Sequence, residues 1–372
     1  MLKHLRIRNF KLWQDTGVIK MAPITLLFGV NSSGKSSIGQ FLMMLKQTVE
    51  SPDRKAVLYP GGKNTAVQLG SYKEIIYRRN SENIINFEYE WDLKAELRFN
   101  DPVTKKIFYG KTIFFEAEAG LIEKDQLSPI VNHLNYRLKE NDHETLTIGM
   151  KRRNNAKGEY EVEAEKYTLR RKQGRVWYPG APVRFYGFPD EVVAYHKNAD
   201  FVQSLNLEHE KLFGSISYLG PLRTKAERLY SWTGIMPESV GFSGENAIAA
   251  ILSARNRKIN LVKPKARGAS PARPFEEIIA LKLEEMGLIE GFKVKAISGQ
   301  RQEYEVKIRI KGLEDWVDLP DVGFGISQVL PVLVQCFYAP SGSIILMEQP
   351  EIHLHPSAQS ALADVMIDVI NA

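Results

Sequence analysis

Apolar residues at Ile38, Phe41, Leu42, Leu45 and Val49 recur every three or four positions and predict an amphipathic helix from about Lys35 to Glu50. Ser51-Pro52-Asp53 stops it, because a residue before proline avoids the helical region. Just upstream, the apolar run Ile24 to Phe28 predicts a strand introduced by Pro23. Residues 2–13 carry Leu2, His4, Arg6, Ile7, Asn9, Phe10 and Leu12 in alternation and predict a strand pair turning near Asn9. From about 83 to 187 the period is two, as in Ile84-Ile85-Asn86-Phe87-Glu88-Tyr89, Ile113-Phe114-Phe115 and Tyr160-Glu161-Val162. Turn residues at Asn100-Asp101-Pro102 and Asn154-Asn155 break it, which predicts an antiparallel meander.

Residues 198–213 predict a helix, and Ser217 to Leu219 a strand broken by Gly220-Pro221 that presents Arg223. Phe275 to Leu288 predicts a second amphipathic helix ending at Gly287, followed by strands near 292–298, 303–310 and Leu313 to Leu319. Ser343 to Met347 predicts a buried parallel strand, and Pro356 suits the first turn of a closing helix, Ser357 to Ile370.

A chain of 372 residues has room for two lobes, and 44% hydrophobic with 25% charged residues describes a globular protein. No apolar stretch approaches the ~20 residues of a membrane span, and the alternating start is not a signal peptide. The single cysteine, Cys336, excludes an internal disulfide and suits the cytoplasm. A charge of +6 permits contact with nucleic acid without arguing for it. The runs Lys151-Arg152-Arg153 and Arg170-Arg171-Lys172 read as solvated edge-strand charges or as phosphate-backbone contacts. Residues 254–273 hold Arg255, Arg257, Lys258, Lys263, Lys265, Arg267 and Arg273 among Gly, Ser and Pro. They read as a mobile basic linker or as a docking arm for an acidic partner or DNA.

Between the first predicted strand and helix stands Gly29-Val30-Asn31-Ser32-Ser33-Gly34-Lys35-Ser36-Ser37, a G-x-x-x-x-G-K-S phosphate-binding loop in its strand–loop–helix setting. Its glycines let successive N–H groups turn toward a β-phosphate, and the helix N-terminus adds a favourable dipole. Lys35 is placed to reach the β- and γ-phosphates, and the Ser36 hydroxyl to bind Mg²⁺.

A second cluster spans 321–356. Glu348, at the carboxyl end of the 343–347 strand, fits an acid that holds Mg²⁺ through water. Gly323-Phe324-Gly325-Ile326-Ser327-Gln328 opens another helix and predicts a second anion site, one that grips the γ-phosphate bound to a neighbouring copy. His353 and His355 form a His-x-His without a third ligand in view, more in keeping with a polar pair lining a nucleotide or dimer seam than with a structural metal. Arg223 reads either as a phosphate or seam residue or as half of a buried ion pair.

Together these residues resemble the ABC-type heads of the SMC, RecF and OLD (overcoming-lysogenisation-defect) ATPases, above all bacterial OLD-like AAA-family ATPases with an uncharacterised C-terminal domain. The resemblance rests on LRIRNFKLW, GVNSSGKSS, YLGPLR, VGFSGENA, DVGFGISQVLPVL and EQPEIHLHP, and thins to general β character over 80–200. It implies an α/β fold: an ABC-ATPase-like P-loop head with a mixed central sheet and an antiparallel β-rich lobe. The head would comprise residues 1–78 and 213–372, interrupted by a lobe at 79–212. In this resemblance Gly29, Asn31, Ser32, Ser33, Gly34, Lys35, Ser36 and Ser37 bind ATP, Gly325, Ser327 and Gln328 stand for the ABC signature, and Glu348 is the Walker B acid. It further implies ATP-dependent homodimers or higher oligomers, a protein effector, and work in phage defence or DNA repair.

Two departures from that pattern stand out. ABC ATPases usually follow the Walker B acid with a glutamate as general base, and here the position is Gln349, which cannot accept a proton. Slow turnover is the expectation, unless Glu351 or His353 serves as the base. The chain also stops at Ala372, just past the helix after Walker B, where the family continues, which reads as a shortened form. An ATPase that controls an effector is the leading expectation, and an ATP-gated scaffold or sensor the alternative. A small-molecule kinase lacks an evident lid, and GTP lacks an Asn-Lys-x-Asp element.

Overall fold

The period-two segments form one antiparallel sheet. The computed structural model describes residues 1–372 except 123–126, 155–157, 173–176, 262–271, 298–301 and 372. It divides into two units, Met1–Ile216 and Ser217–Ala372.

In unit one the strands are β1 (Leu2–Phe10), β2 (Trp13–Asp15), β3 (Ile19–Lys20), β4 (Ile85–Asn100), β5 (Ile107–Gly120), β6 (Ile130–Glu140), β7 (His143–Arg152) and β8 (Tyr160–Glu165). Their order is β2-β1-β4-β5-β6-β7-β8, with β3 also on β1. Register lines up Leu5, Tyr89, Phe115, Tyr136, Ile148 and Ala164 as cross-strand partners. All but Ala164 are fully buried or nearly so, and such aromatic and branched pairs are what hold antiparallel strands in register. The position 78/79 lies inside this unit, because β1 pairs with β4.

The helices are α1 (Lys35–Glu50), the short α2 (Tyr72–Ile75) and α3 (Asp190–Tyr195), and α4 (Phe201–Gly214). Phe41 of α1 meets Phe10 and Phe87 edge-on, with ring centroids 5.0 and 5.2 Å apart. His209 of α4 is fully buried, stacked on Tyr186 at 4.4 Å. The Tyr136 hydroxyl donates to the Tyr186 carbonyl, so it accepts from His209 Nδ1 at 2.9 Å, which leaves Nε2 to accept from the Tyr89 hydroxyl at 2.7 Å. Both tyrosine hydroxyls and a neutral imidazole are thereby satisfied in an apolar setting.

The strand expected at Ile24–Phe28 does not form. No described strand hydrogen-bonds to it, and a lone strand gains no ladder bonds. Leu26, Phe28 and Val30 are 63, 86 and 78% exposed.

Unit two has β9 (Ile216–Leu219, entering from unit one), β10 (Tyr230–Ser231), α5 (Ala247–Ser253), β11 (Lys258–Ile259), β12 (Arg273–Pro274), α6 (Phe275–Glu285), β13 (Gly291–Ala296) and β14 (Glu303–Arg309). The chain continues through β15 (Trp316–Asp318), α7 (Phe324–Tyr338), β16 (Ile344–Met347) and α8 (Pro356–Asn371). β10, β14 and β13 form an antiparallel sheet, with β15 on β14, in which Phe292 faces Ile308 and Val294 faces Val306. From Ile326 to Tyr338, α7 is buried all round, as a helix through the centre of a core must be. Pro331 lies inside it against Gly244, where a Cβ would come within 2.6 Å of the proline ring.

β16 pairs with β9 alone among the described strands and is half-buried along its whole length, not buried as expected from its apolar run. The basic stretch near 254–273 is also not a free linker where it is described. Arg255 donates to the Val294 carbonyl at 2.8 Å, and Arg257 donates to the Tyr338 carbonyl at 3.0 Å and to that of Phe337. Lys263, Lys265 and Arg267 lie outside the described residues. Arg153, in the first basic run, pairs with Glu161 at 2.7 Å and lies over the Tyr178 ring.

Candidate functional site

In unit one the loop residues lead directly into α1. Gly34 is the residue before the helix and has φ +90°, a conformation that only glycine adopts without strain. A Cβ there would also stand 2.8 Å from Trp13 Nε1. Trp13 Nε1–H donates to the Gly34 carbonyl at 3.0 Å, so the β1–β2 hairpin braces the loop from behind. Asn31, Ser32 and Ser33 are exposed, and Ser32 has a left-handed φ of +62°. Gly29 and Ser36 are exposed, while Ser37 is buried with its N–H on the Gly34 carbonyl.

Lys35 is folded back over the loop. Its ammonium donates to the carbonyls of Gly29 at 2.8 Å and Val30 at 2.7 Å. That lays the side chain across the loop ahead of the α1 N-terminus, the end of a helix that favours an anion. The first turn of α1 carries no acid to oppose an anion. This glycine-opened cradle with a lysine and a helix N-terminus fits a Mg-nucleoside triphosphate.

In unit two the residues of the second cluster cohere around the end of β16. Glu348 N–H bonds the Leu219 carbonyl at 3.0 Å, and its Oε1 accepts from Tyr218 Oη at 2.9 Å. Burial and the Glu348 charge push the Tyr218 hydroxyl well above its ordinary pKa, so it stays a donor to that carboxylate. Gln349 and His353 have left-handed φ of +46° and +64°, unusual for residues with a Cβ. Leu354 N–H and Ile352 N–H close tight turns onto Glu351 and Gln349.

The signature-like segment packs on this turn. Phe324 meets the His353 ring edge-on at 5.1 Å, and a Cβ on Gly325 would come within 2.9 Å of the His353 carbonyl. Gly323 and Phe324 are exposed, but Ser327 and Gln328 are buried. Ser327 Oγ donates to the Phe324 carbonyl at 2.8 Å, and Gln328 Nε2 is a buried donor without a partner among the described residues. His355 Nδ1 lies 3.0 Å from Ser357 Oγ. Among the described residues, no three His, Cys, Asp or Glu gather as a metal site.

Of the two readings of Arg223, the side-chain ion pair is not formed among the described residues: Nη2 donates to the carbonyls of Glu348 and Gln349, both at 3.2 Å. Two further contributors carry no clear sequence signal. Trp13 braces Gly34, and Tyr218 bonds Glu348. An aromatic just ahead of Gly-Pro is the one available hint of Tyr218, and nothing local distinguishes Trp13.

The family described as "AAA ATPase domain" matches residues 1–174, and the family described as "AAA domain, putative AbiEii toxin, Type IV TA system" matches residues 193–371. No curated protein matches the chain. Among the described residues, no helix is long and apolar enough to cross a membrane. The two matched domains, one carrying the G-x-x-x-x-G-K-S loop and the other the Glu348 turn, support a P-loop AAA ATPase that binds and hydrolyses ATP.

Proposed function

We propose that this chain is an ABC-type ATPase head of the OLD, SMC and RecF kind, which closes on a second copy around ATP and thereby controls a protein effector. The observation that carries this reading is the pairing of chemistry in the two units. A phosphate-binding loop opens α1, and an acid at the end of β16 is followed by a turn that the glycine-rich start of α7 packs against. In this reading Lys35 engages the β- and γ-phosphates, while Ser36 and Glu348 supply oxygen ligands for Mg²⁺, the latter through water. Mg²⁺ would neutralise charge on the phosphates. Gly323 and Phe324 are the exposed part of α7's start, and Ser327 would have to release the Phe324 carbonyl to reach a neighbour's nucleotide. The second matched family is named for a toxin of a type IV system, which accords with defence against phages.

Light scattering tests the clamp. Mass is expected to double with a non-hydrolysable ATP analogue and Mg²⁺ and to stay monomeric in Lys35→Ala; an unchanged mass in the wild type would count against the clamp.

Gln349 favours slow turnover, because an amide cannot take a proton from water. General-base catalysis contributes typically ~10²–10⁴-fold, so Gln349→Glu should raise the single-turnover rate by at least about tenfold. If Glu351 or His353 is the base, the rate will instead be unmoved by Gln349→Glu and fall on substituting one of those two. The second reading, an ATP-gated scaffold, also draws on Gln349 and is favoured if dimers form on ATP with no phosphate released.

A further inference from the structure

Arg170, Arg171 and Lys172, the second basic run, are all exposed, and the fold of unit one does not leave them loose. Arg171 forms an antiparallel bridge with His196. It is flanked by Lys172 N–H on the Tyr195 carbonyl at 2.9 Å and Lys197 N–H on the Arg170 carbonyl at 2.7 Å. In an antiparallel pair this register sets Arg170 opposite Lys197 and Lys172 opposite Tyr195, with all four side chains on one face. Lys172 Nζ reaches the Val193 carbonyl at 3.3 Å, but neither Arg170 nor Lys197 has an ion-pair partner among the described residues. Like charges directly opposite destabilise a strand pair, and an anion between them removes that cost. Beside them Trp177 is 58% exposed, and its ring stacks toward Tyr195 at 6.5 Å and 28°.

The residues flanking this bridge line a cavity of about 360 Å³, within the ~300–1,000 Å³ of small-ligand pockets. Its lining includes Phe99, Asn100, Tyr167, Asn198, Phe201 and Ser204. Phe99 and Phe201 stand parallel at 4.4 Å, and Tyr167 meets Phe201 edge-on at 4.9 Å, so the wall is largely aromatic. Asn198 ties cavity and cations together: its Oδ1 accepts from Arg170 N–H at 2.8 Å, and its carbonyl accepts from the Tyr167 hydroxyl. Its amide donates to Asp101 and to the Thr168 carbonyl. The Asn100 and Ser204 side chains have no partner among the described residues, and Asp200 adds an exposed carboxylate to the lining.

We propose that this part of unit one binds single-stranded nucleic acid. Arg170, Lys172 and Lys197 take backbone phosphates, Trp177 and Tyr195 stack one base, and the cavity admits a second, splayed-out base. Every base has a π-face, so aromatic rings beside a cationic track suit a strand whose bases are unpaired, and a duplex hides those faces. Asn100, Asp200 and Ser204 supply donors and acceptors for the edge of the base in the cavity. RNA and DNA single strands share this chemistry, and the proposal does not depend on the ATP reading.

The experiment is fluorescence anisotropy of the full chain with labelled strands of ~12 nucleotides: single-stranded RNA, single-stranded DNA, duplex DNA, and a DNA strand carrying abasic residues. The wild type should bind a single strand more tightly than the duplex, and removing bases should weaken it about 5- to 100-fold, as the loss of a stacked base predicts. Trp177→Ala should weaken the ordinary strand by a similar factor and leave the abasic one nearly unchanged. Replacing Arg170, Lys172 and Lys197 together by Gln should flatten the dependence of log affinity on log salt by about 2, at ~0.7 per phosphate contact on a single strand. Whichever of RNA and DNA binds more tightly is the source of the strand. A wild type that binds no oligomer, binds duplex as tightly as single strand, or does not distinguish the abasic strand overturns the proposal, as does an unchanged salt slope in the triple variant. Thermal melting checks folding, and the abasic comparison uses wild type alone, so it decides the matter even if a variant does not fold.

Discussion

Lys35→Ala is expected to weaken ATP binding by about 10²–10³-fold while leaving the melting temperature within a few degrees. The ammonium makes two hydrogen bonds to loop carbonyls, at 2.8 and 2.7 Å, and is neither deeply buried nor part of the core. Its removal therefore costs the fold little. Phosphates arriving in the cradle would replace those carbonyls as acceptors, and a hydrogen bond to a charged partner is worth ~1.5–3 kcal/mol. Two such bonds, ~3–6 kcal/mol together, correspond to about 10²–10⁴-fold at about 1.4 kcal/mol per tenfold, and the lower part of that range is expected because the ammonium gives up two carbonyl bonds to make them. Arginine at 35 keeps the charge but not the compact reach of the ammonium, so Lys35→Arg should recover little. The measurement is titration with a fluorescent ATP analogue, with melting followed in parallel. Unchanged affinity in a folded Lys35→Ala protein would remove the phosphate-loop assignment.

The second large effect is on stability and centres on His209. His209→Ala opens a ring-sized cavity among Tyr89, Phe115, Phe185, Tyr186 and Phe213 and strands the Tyr89 hydroxyl. Cavity loss of this size costs ~3–5 kcal/mol, and an orphaned buried hydroxyl ~1–3 kcal/mol more. The melting temperature should fall by about 10 °C or more. His209→Phe keeps the ring contacts and loses only the hydrogen bonds, so its cost should be near the lower figure.

Burial also holds the His209 pKa well below 6.5. The neutral form is the one the fold accommodates, because Nε2 must accept from Tyr89 while Nδ1 donates to Tyr136. Below about pH 6.5 the unfolded chain binds a proton that the folded chain refuses. Stability from this residue is thus complete above that pH and is lost as the pH falls through it. The slope approaches ~1.4 kcal/mol per pH unit for one proton. Urea unfolding of wild type and His209→Phe from pH 7.5 to 5 isolates it: the wild-type curve should steepen below pH 6.5 relative to the variant. Parallel curves would refute a neutral His209.

Much of this is legible in the sequence, for reasons that differ by element. The helix over Lys35–Glu50 can be read because its stripe and its stop signal are both local. The antiparallel meander can be read because one face of each strand is buried, so alternation survives in the sequence. The turn that opens α1 is legible because its glycines mark it, Gly29 and Gly34 both having positive φ. Pairing of β1 with β4 is not legible, since no local signal encodes a partner eighty-odd residues on. The same limit hides Trp13 behind Gly34 and Tyr218 beside Glu348, both of them meetings of distant segments. The run Ile24–Phe28 misleads, because apolarity shows what a strand could be built from and not that a partner is bonded to it.

The place of β1 in its sheet also bears on how the chain is made. Leu5 waits for Tyr89, with α1 and a long turn-rich stretch between them. At ~5–20 residues per second on the ribosome, the opening strand spends roughly 4–17 s with its backbone groups unpaired. Closing so long a loop adds little to the free energy but slows the first productive collision. Phe41, touching both Phe10 and Phe87, is the residue through which a nascent α1 could shelter β1 until its partner emerges.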